Sequence, residues 1–289
     1  MIDVNVVCRN LGEDRVIPRF SRYLSDNLGY QVSRKPLPDF DLYYLSGYFE
    51  IQMMRQNIEK PLAAYFTHRE THPPNNQKSR LFDAVADRVA LRITTAAMYA
   101  ADVGRFGPTV QINPPVERHR FTIPARKNKQ IKAGFSGYTY KNGRKGEKLA
   151  RALIGSKYGK KITWSASGRG WPVPTKRYPW TEMPDFYRSL DVLVVTASVE
   201  GVPMPPLEVL SCGGSIVIPR GVGLLDELPD VAGIYRYEVD DLPSLLKSFE
   251  KAVAGRASVD RKALRAVTAP YSILAWCEQH RAAFEELLS

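Results

Sequence analysis

Cysteine is scarce: the 289 residues hold only Cys8, Cys212 and Cys277, with no C-x-x-C pair. That excludes a disulfide framework and fits reduced thiols in a cytosolic protein. No apolar run approaches the ~18 residues needed to cross a bilayer. The opening stretch, MIDVNVVCRNLGEDRV, lacks the basic-then-apolar order of a secretory signal, so the expected location is cytoplasmic. No segment carries the compositional bias of disorder. Familiar nucleotide loops are missing as well. GYTYKNGRK fails the P-loop spacing, and SGRGWPVP (167–174) lacks the third glycine of a dinucleotide fingerprint. HRETH (68–72) misplaces its Glu for a zinc helix and runs into PPNN, while DFD (39–41) has no acidic companion. Both are read as structural, no metal is expected, and His119 and His280 are read as surface residues.

What the chain does have is an uneven positive charge. Its net charge is +11, and residues 101–200 hold 19 Lys and Arg against 7 Asp and Glu, whereas the remainder is balanced at 22 against 23. So local an excess points to an anionic partner: ligand phosphates, a nucleic acid or a membrane surface. Short β-branched runs alternate with amphipathic stretches, as in IDVNVVC, DLYYLS, LAAYFT, RVALRIT and TVQIN. After NPPVERHRFTIPARKNKQ (113–130), the alternation restarts with IKAGFSG, KKITWSAS, DVLVVTAS, SIVIP and GIYRYEV. Strands separated by helical patterns predict parallel sheets built from βαβ units. The expected architecture is α/β, two Rossmann-like doubly wound domains facing across a cleft, with ligands at the strand ends. Domain one spans 1–116, a basic hinge 117–130 and domain two 131–268. A C-terminal helix over 269–289 is free to cross back.

EGVPMPPLE (200–208) sets two glutamates at the two ends of a proline-braced bend. The nearly all-apolar strand DVLVVTAS delivers Glu200 at its C-terminal end. Pro205 and Pro206 suit a helix start, and Gly213-Gly214 a helix stop. Glu208 then falls one turn into a short helix whose first N–H groups favour an anion. Two carboxylates flanking an anion site suit a nucleotide sugar: hexose hydroxyls, diphosphate, ribose hydroxyls.

These residues resemble the donor-binding core of family 4 glycosyltransferases of the GT-B fold, marked by two glutamates with seven residues between them. Glu200 and Glu208 match that spacing, with Gly201 after the first and LEVLSCGG around the second. IKAGFSGYTYKNGRKGEKLARAL resembles the first strand and helix of the family's second domain, its Lys-Gly pair being Lys145-Gly146. AAYFTH resembles a strand ending in a His that faces the sugar, His68. Tyr138 stands where the family commonly has Arg, leaving Arg144 or Lys141 to supply a second cation, and Pro203 stands where Gly is common.

The resemblance implies a retaining, metal-independent transfer from a UDP- or GDP-sugar. Lys145, aided by Arg144, would stabilise the departing diphosphate. Glu200 would hold the sugar, Glu208 the ribose, and His68 would approach from the other domain. Gly201, Val202, Pro203 and Met204 would line the donor, with Tyr138 beside it and Arg169 at the base. Closure of the domains would exclude water. Arg118, Arg120, Arg126, Lys127 and Lys129 form the expected polyanion patch. Hydroxymethylated DNA is the acceptor that most needs it. The alternatives are a glycolipid or envelope polysaccharide on an anionic membrane surface, and a non-catalytic nucleotide-sugar or nucleic-acid binding module.

Overall fold

A computed structural model describes residues 2–12, 15–54, 59–71, 73, 76–125, 129–140 and 142–289. The chain divides into two compact units, Met1–Pro115 with Tyr271–Ser289, and Val116–Pro270.

The first unit is built on a six-stranded parallel sheet: β1 (Val4–Val7), β2 (Gln31–Ser33), β3 (Leu42–Leu45), β4 (Leu62–Phe66), β5 (Leu91–Thr94) and β6 (Thr109–Gln111). Their spatial order is β2-β1-β3-β4-β5-β6. Every residue of β1, β3, β4 and β5 is buried. That is the pattern of strands covered on both faces, and it explains the apolar runs of β3 and β4. Helices α1 (Val16–Leu28), α2 (Gln77–Arg88) and α3 (Ala97–Val103) connect them. Gly29, left-handed at φ 72°, ends α1 as the sequence predicts. DFD has a structural use: Asp41 accepts a bond from the Asp3 amide at 3.1 Å and pins the entry to β3.

In the second unit the strands are β7 (Lys132–Tyr138), β8 (Thr163–Arg169), β9 (Thr175–Lys176), β10 (Val192–Val194), β11 (Ser215–Pro219) and β12 (Ile234–Tyr237). They lie in the order β12-β11-β10-β7-β8-β9, again all parallel. The helices are α4 (Glu147–Gly155), α5 (Met183–Arg188), α6 (Met204–Ser211), α7 (Leu242–Gly255) and α8 (Arg261–Val267). A column of rings fills one face of the sheet. Phe135 stacks between Trp171 at 4.8 Å and Trp164 at 5.2 Å, and Trp164 lies on Phe249 at 5.3 Å. Offset stacks of this kind add to the area term of burial.

Residues 117–125, expected as part of a hinge, group with the second unit, held down by arginines. Arg265 donates to the carbonyls of Arg118, Phe121 and Ser211. Arg188 reaches the carbonyl of Arg120 at 3.1 Å, and Arg261 that of Pro124 at 2.9 Å. Two members of the expected polyanion patch are tied inward by the same packing. Arg118 donates to Thr268 Oγ1 at 3.2 Å, and burial beside Arg265 lowers its guanidinium pKa. Arg120 pairs with Glu117 at 2.8 Å and lies over the Trp180 ring. These two cations therefore brace the fold while staying part-exposed. Lys129 is exposed, and Arg126, Lys127, Lys141 and His72 lie outside the described residues.

The last helix, α9 (Ile273–Leu288), belongs to the first unit and packs on α1, with Trp276 5.0 Å from Phe20. His119 is exposed as expected, but His280 is not: it is fully buried. Its Nδ1 meets the Trp276 carbonyl at 2.9 Å and its Nε2 the Tyr44 hydroxyl at 3.2 Å. The helical period turns this one polar position inward, where two partners satisfy it. Burial pushes the imidazole down from 6.5 to about 3. Unfolding restores the ordinary value, so the unfolded chain takes up a proton that the folded one refuses. This contribution is complete above pH 6.5, falls by about 1.4 kcal/mol per pH unit below it, and levels off near pH 3. The melting temperature is expected to drop steeply on acidification through that window, and His280→Gln to flatten the drop. An unchanged acid limb in the variant would place the sensitivity elsewhere.

Candidate active site

The second sheet's order reverses between β7 and β10, and a ligand crevice belongs at the C-terminal ends of those strands. A cavity of about 110 Å³ lies there, bounded by Ser136 and Gly137 from β7, Lys145 before α4, Trp171 after β8 and Glu200 after β10.

Close backbone approach builds this pocket. Gly146 is left-handed at φ 70°, and a Cβ there would come within 2.0 Å of the Thr196 carbonyl. Without one, the turn before α4 lies against the loop after β10: Thr196 Oγ1 donates to the Lys145 carbonyl at 2.6 Å, and the Ser198 amide to that of Arg144 at 3.1 Å. The Lys145 side chain then extends over Gly137, where a Cβ would stand 3.8 Å from Nζ. Its ammonium meets Glu200 Oε1 at 2.5 Å, with side chains only 13% and 18% exposed. Among the described residues, Lys145 is the one cation and Glu200 the one acid lining the cavity. Residues 55 apart in sequence are thereby joined as a single polar device. Such a pair can exchange partners, the ammonium turning to an incoming anion while the carboxylate receives a hydroxyl.

Glu208 sits in α6 at 2% exposure and does not line the cavity. Val202, Pro205 and Pro206 do line it. Gly201 is half-buried, whereas Pro203 and Met204 are buried and do not reach its wall. The expected anion site at the start of α6 is corrected by its own hydrogen bonding. The Met204 amide donates to the Val202 carbonyl at 2.9 Å, and Pro205 and Pro206 have no N–H. Helix α4 begins two residues after Lys145 and brings a second positive helix end to this region.

Arg144 lies 4.1 Å over the Tyr140 ring, and Arg169 5.6 Å over that of Tyr138, its partner across β7 and β8. His68 follows β4 in the first unit, its ring 6.5 Å from that of Tyr99. Trp171 is the wall residue that sequence reading missed. Its Nε1 donates to the Gly137 carbonyl at 2.9 Å, fixing the floor beneath Lys145. Gly170, left-handed beside it, was the available signal. Among the described residues, no group of three or more His, Cys, Asp or Glu could hold a metal ion, and no helix is long and apolar enough to cross a membrane.

No protein-family model and no curated protein matches the sequence. Solved structures do. Sucrose-phosphate synthase from Thermosynechococcus elongatus superposes at a TM-score of 0.71 with 15% identity, over 94% of this chain and 77% of that one. HepE from Anabaena, in complex with UDP and glucose, reaches 0.79 with 9% identity over 99% of this chain and 100% of its own. A glycosyltransferase from Rickettsia africae reaches 0.71 with 10% identity over 99% and 98%. At such identities the likeness speaks of architecture, and with two parallel six-stranded sheets the chain has the GT-B fold of two Rossmann-like domains.

Proposed function

We propose that this protein is a nucleotide-sugar-dependent glycosyltransferase that retains configuration at the anomeric carbon and passes the sugar to a hydroxyl acceptor. The observation that carries this reading is the Lys145–Glu200 pair, held at 2.5 Å in the crevice of the second sheet. The diphosphate of the donor would draw the ammonium from Glu200 and complete its surroundings with the positive end of α4. Negative charge grows on the diphosphate as the glycosidic bond breaks, and Lys145 then stabilises the transition state more than the ground state. Glu200, released, accepts hydroxyl hydrogens from the sugar. Glu208 is assigned to the ribose and His68 to the sugar by their match to the family pattern, with Arg144, Tyr138 and Arg169 around the nucleotide. HepE, described with UDP and with UDP-glucose, supports UDP as the first nucleotide to try.

With Arg118 and Arg120 occupied internally, the charge excess argues less for DNA, so the acceptor is proposed only as a hydroxyl compound. The test is a panel of UDP- and GDP-sugars offered alone, with hydroxymethylated DNA, and with small hydroxyl acceptors. One donor is expected to release nucleoside diphosphate faster when its acceptor is present. Tight binding of a donor without release under any condition would favour the non-catalytic module, and binding of none would reject the reading.

A further inference from the structure

The first unit has a switch point of its own. Chain order reverses on either side of β1, and the loops after β1 and β3 part at their C-terminal ends. A cavity of about 130 Å³ lies there, lined by Arg9 after β1, Tyr48, Phe49 and Glu50 after β3, and Tyr65 and Thr67 from β4 and its end. Glu50 is only 5% exposed, and its Oε2 receives no hydrogen bond from any described residue. Arg9 Nε stands 3.8 Å away, and burial raises the carboxyl pKa above its ordinary value although the Arg9 backbone N–H and the Arg9 charge pull it the other way. Arg9 therefore satisfies the carboxylate only in part, and a buried oxygen without a donor disfavours folding. Hydroxyl groups of a ligand would supply the missing donors.

Adjoining this cavity, and sharing Arg9 and Phe49 with it, is an open groove of about 560 Å³. Lys78 and Arg80, near the start of α2, line it. That 12-residue helix adds the positive end of its dipole, and Asn76 caps it at 3.0 Å from the Ser79 amide. Lys78 has one counter-charge, Glu70 at 3.6 Å. The two hollows therefore differ in chemistry. One offers a carboxylate beside aromatic rings, the other two cations near a helix start, with Arg9 shared between them.

We propose that together they bind a phosphorylated sugar. Its hydroxyls donate to Glu50, its ring lies on Phe49, and its phosphate sits among Arg9, Lys78 and Arg80. An amine would be repelled by the three cations and would compete with Arg9. Inorganic phosphate brings no ring for Phe49 and no set of sugar hydroxyls for Glu50, and a neutral sugar leaves the cations unused. That this ligand is the acceptor of transfer rests on the glycosyltransferase reading; its chemical class rests on the two hollows alone.

Calorimetric titration of the full chain with hexose 1- and 6-phosphates, methyl hexosides, inorganic phosphate and, separately, UDP tests this. At least one sugar phosphate is expected to bind about tenfold or more tighter than both inorganic phosphate and its own unphosphorylated sugar. Glu50→Gln and Arg80→Gln should each weaken it about tenfold and leave UDP affinity unchanged. Glu50→Gln should also melt higher, which a carboxylate retained for structure would not do. Inorganic phosphate binding as tightly as every sugar phosphate, a methyl hexoside binding as tightly as its phosphate, no binding at all, or full affinity in the variants would overturn the proposal. Should Glu50→Gln not fold, Arg80→Gln, an exposed site, decides alone. UDP bound without any sugar phosphate sinks this inference and spares the donor site; a sugar phosphate bound without any nucleotide does the reverse.

Discussion

Lys145→Ala is expected to lower the rate of donor turnover by a factor on the order of 10² to 10³, the cost of removing one preorganised group from a developing oxyanion. The loss should fall mainly on kcat. In the free protein Lys145 is already held by Glu200 at 2.5 Å, so binding a diphosphate trades one partner for another, whereas the charge formed during bond breaking has no substitute. Glu200→Gln should separate the two roles. It removes the anion that competes for the ammonium, so UDP binds at least as tightly as before, while turnover of the nucleotide sugar drops with the lost carboxylate. Parallel titration with UDP and steady-state assay of both variants checks this. Wild-type turnover in Lys145→Ala, or weaker UDP binding in Glu200→Gln, would show that the pair is only a structural contact.

The second large effect is on the fold beneath the site. Gly146→Ala asks an L-residue to hold φ 70° with its Cβ 2.0 Å from the Thr196 carbonyl. The left-handed conformation costs about 1–2 kcal/mol and the forced shift of backbone about 1–3 more. A destabilisation on the order of 3 kcal/mol lowers the melting temperature by roughly 6–12 °C at this chain length. Activity should fall with it, because the shift separates the Lys145 and Arg144 carbonyls from Thr196 and Ser198. Gly155→Ala, at the end of the same helix with nothing within 4 Å, is the control and should melt at or above wild type. Equal melting temperatures for the two variants would mean that the loop contact is not tight in solution.

Much of this was readable in advance because the strands that matter are buried on both faces. LAAYF, SIVIP and the core of DVLVVTAS announce themselves by apolar runs that only a covered parallel strand needs. Two of the four edge strands were not foreseen. β2 is QVS and β9 is TK, both short, the first part-exposed and the second exposed, and what makes them strands is the neighbour they pair with. His280 was misjudged for a related reason: a lone polar residue in a charged helix reads as surface until Tyr44 and the Trp276 carbonyl are seen beside it.

By itself the sequence determined the α/β alternation and the bend at 200–208, since each follows from local rules of burial and proline. Tertiary structure alone decided which charges face a ligand. It paired Lys145 with Glu200, engaged Arg118 and Arg120 with Thr268 and Glu117, and buried Glu50 beside Arg9. Charge has no periodicity that reveals its partner: a Coulomb interaction depends on distance and burial, and neither exists until the chain has folded.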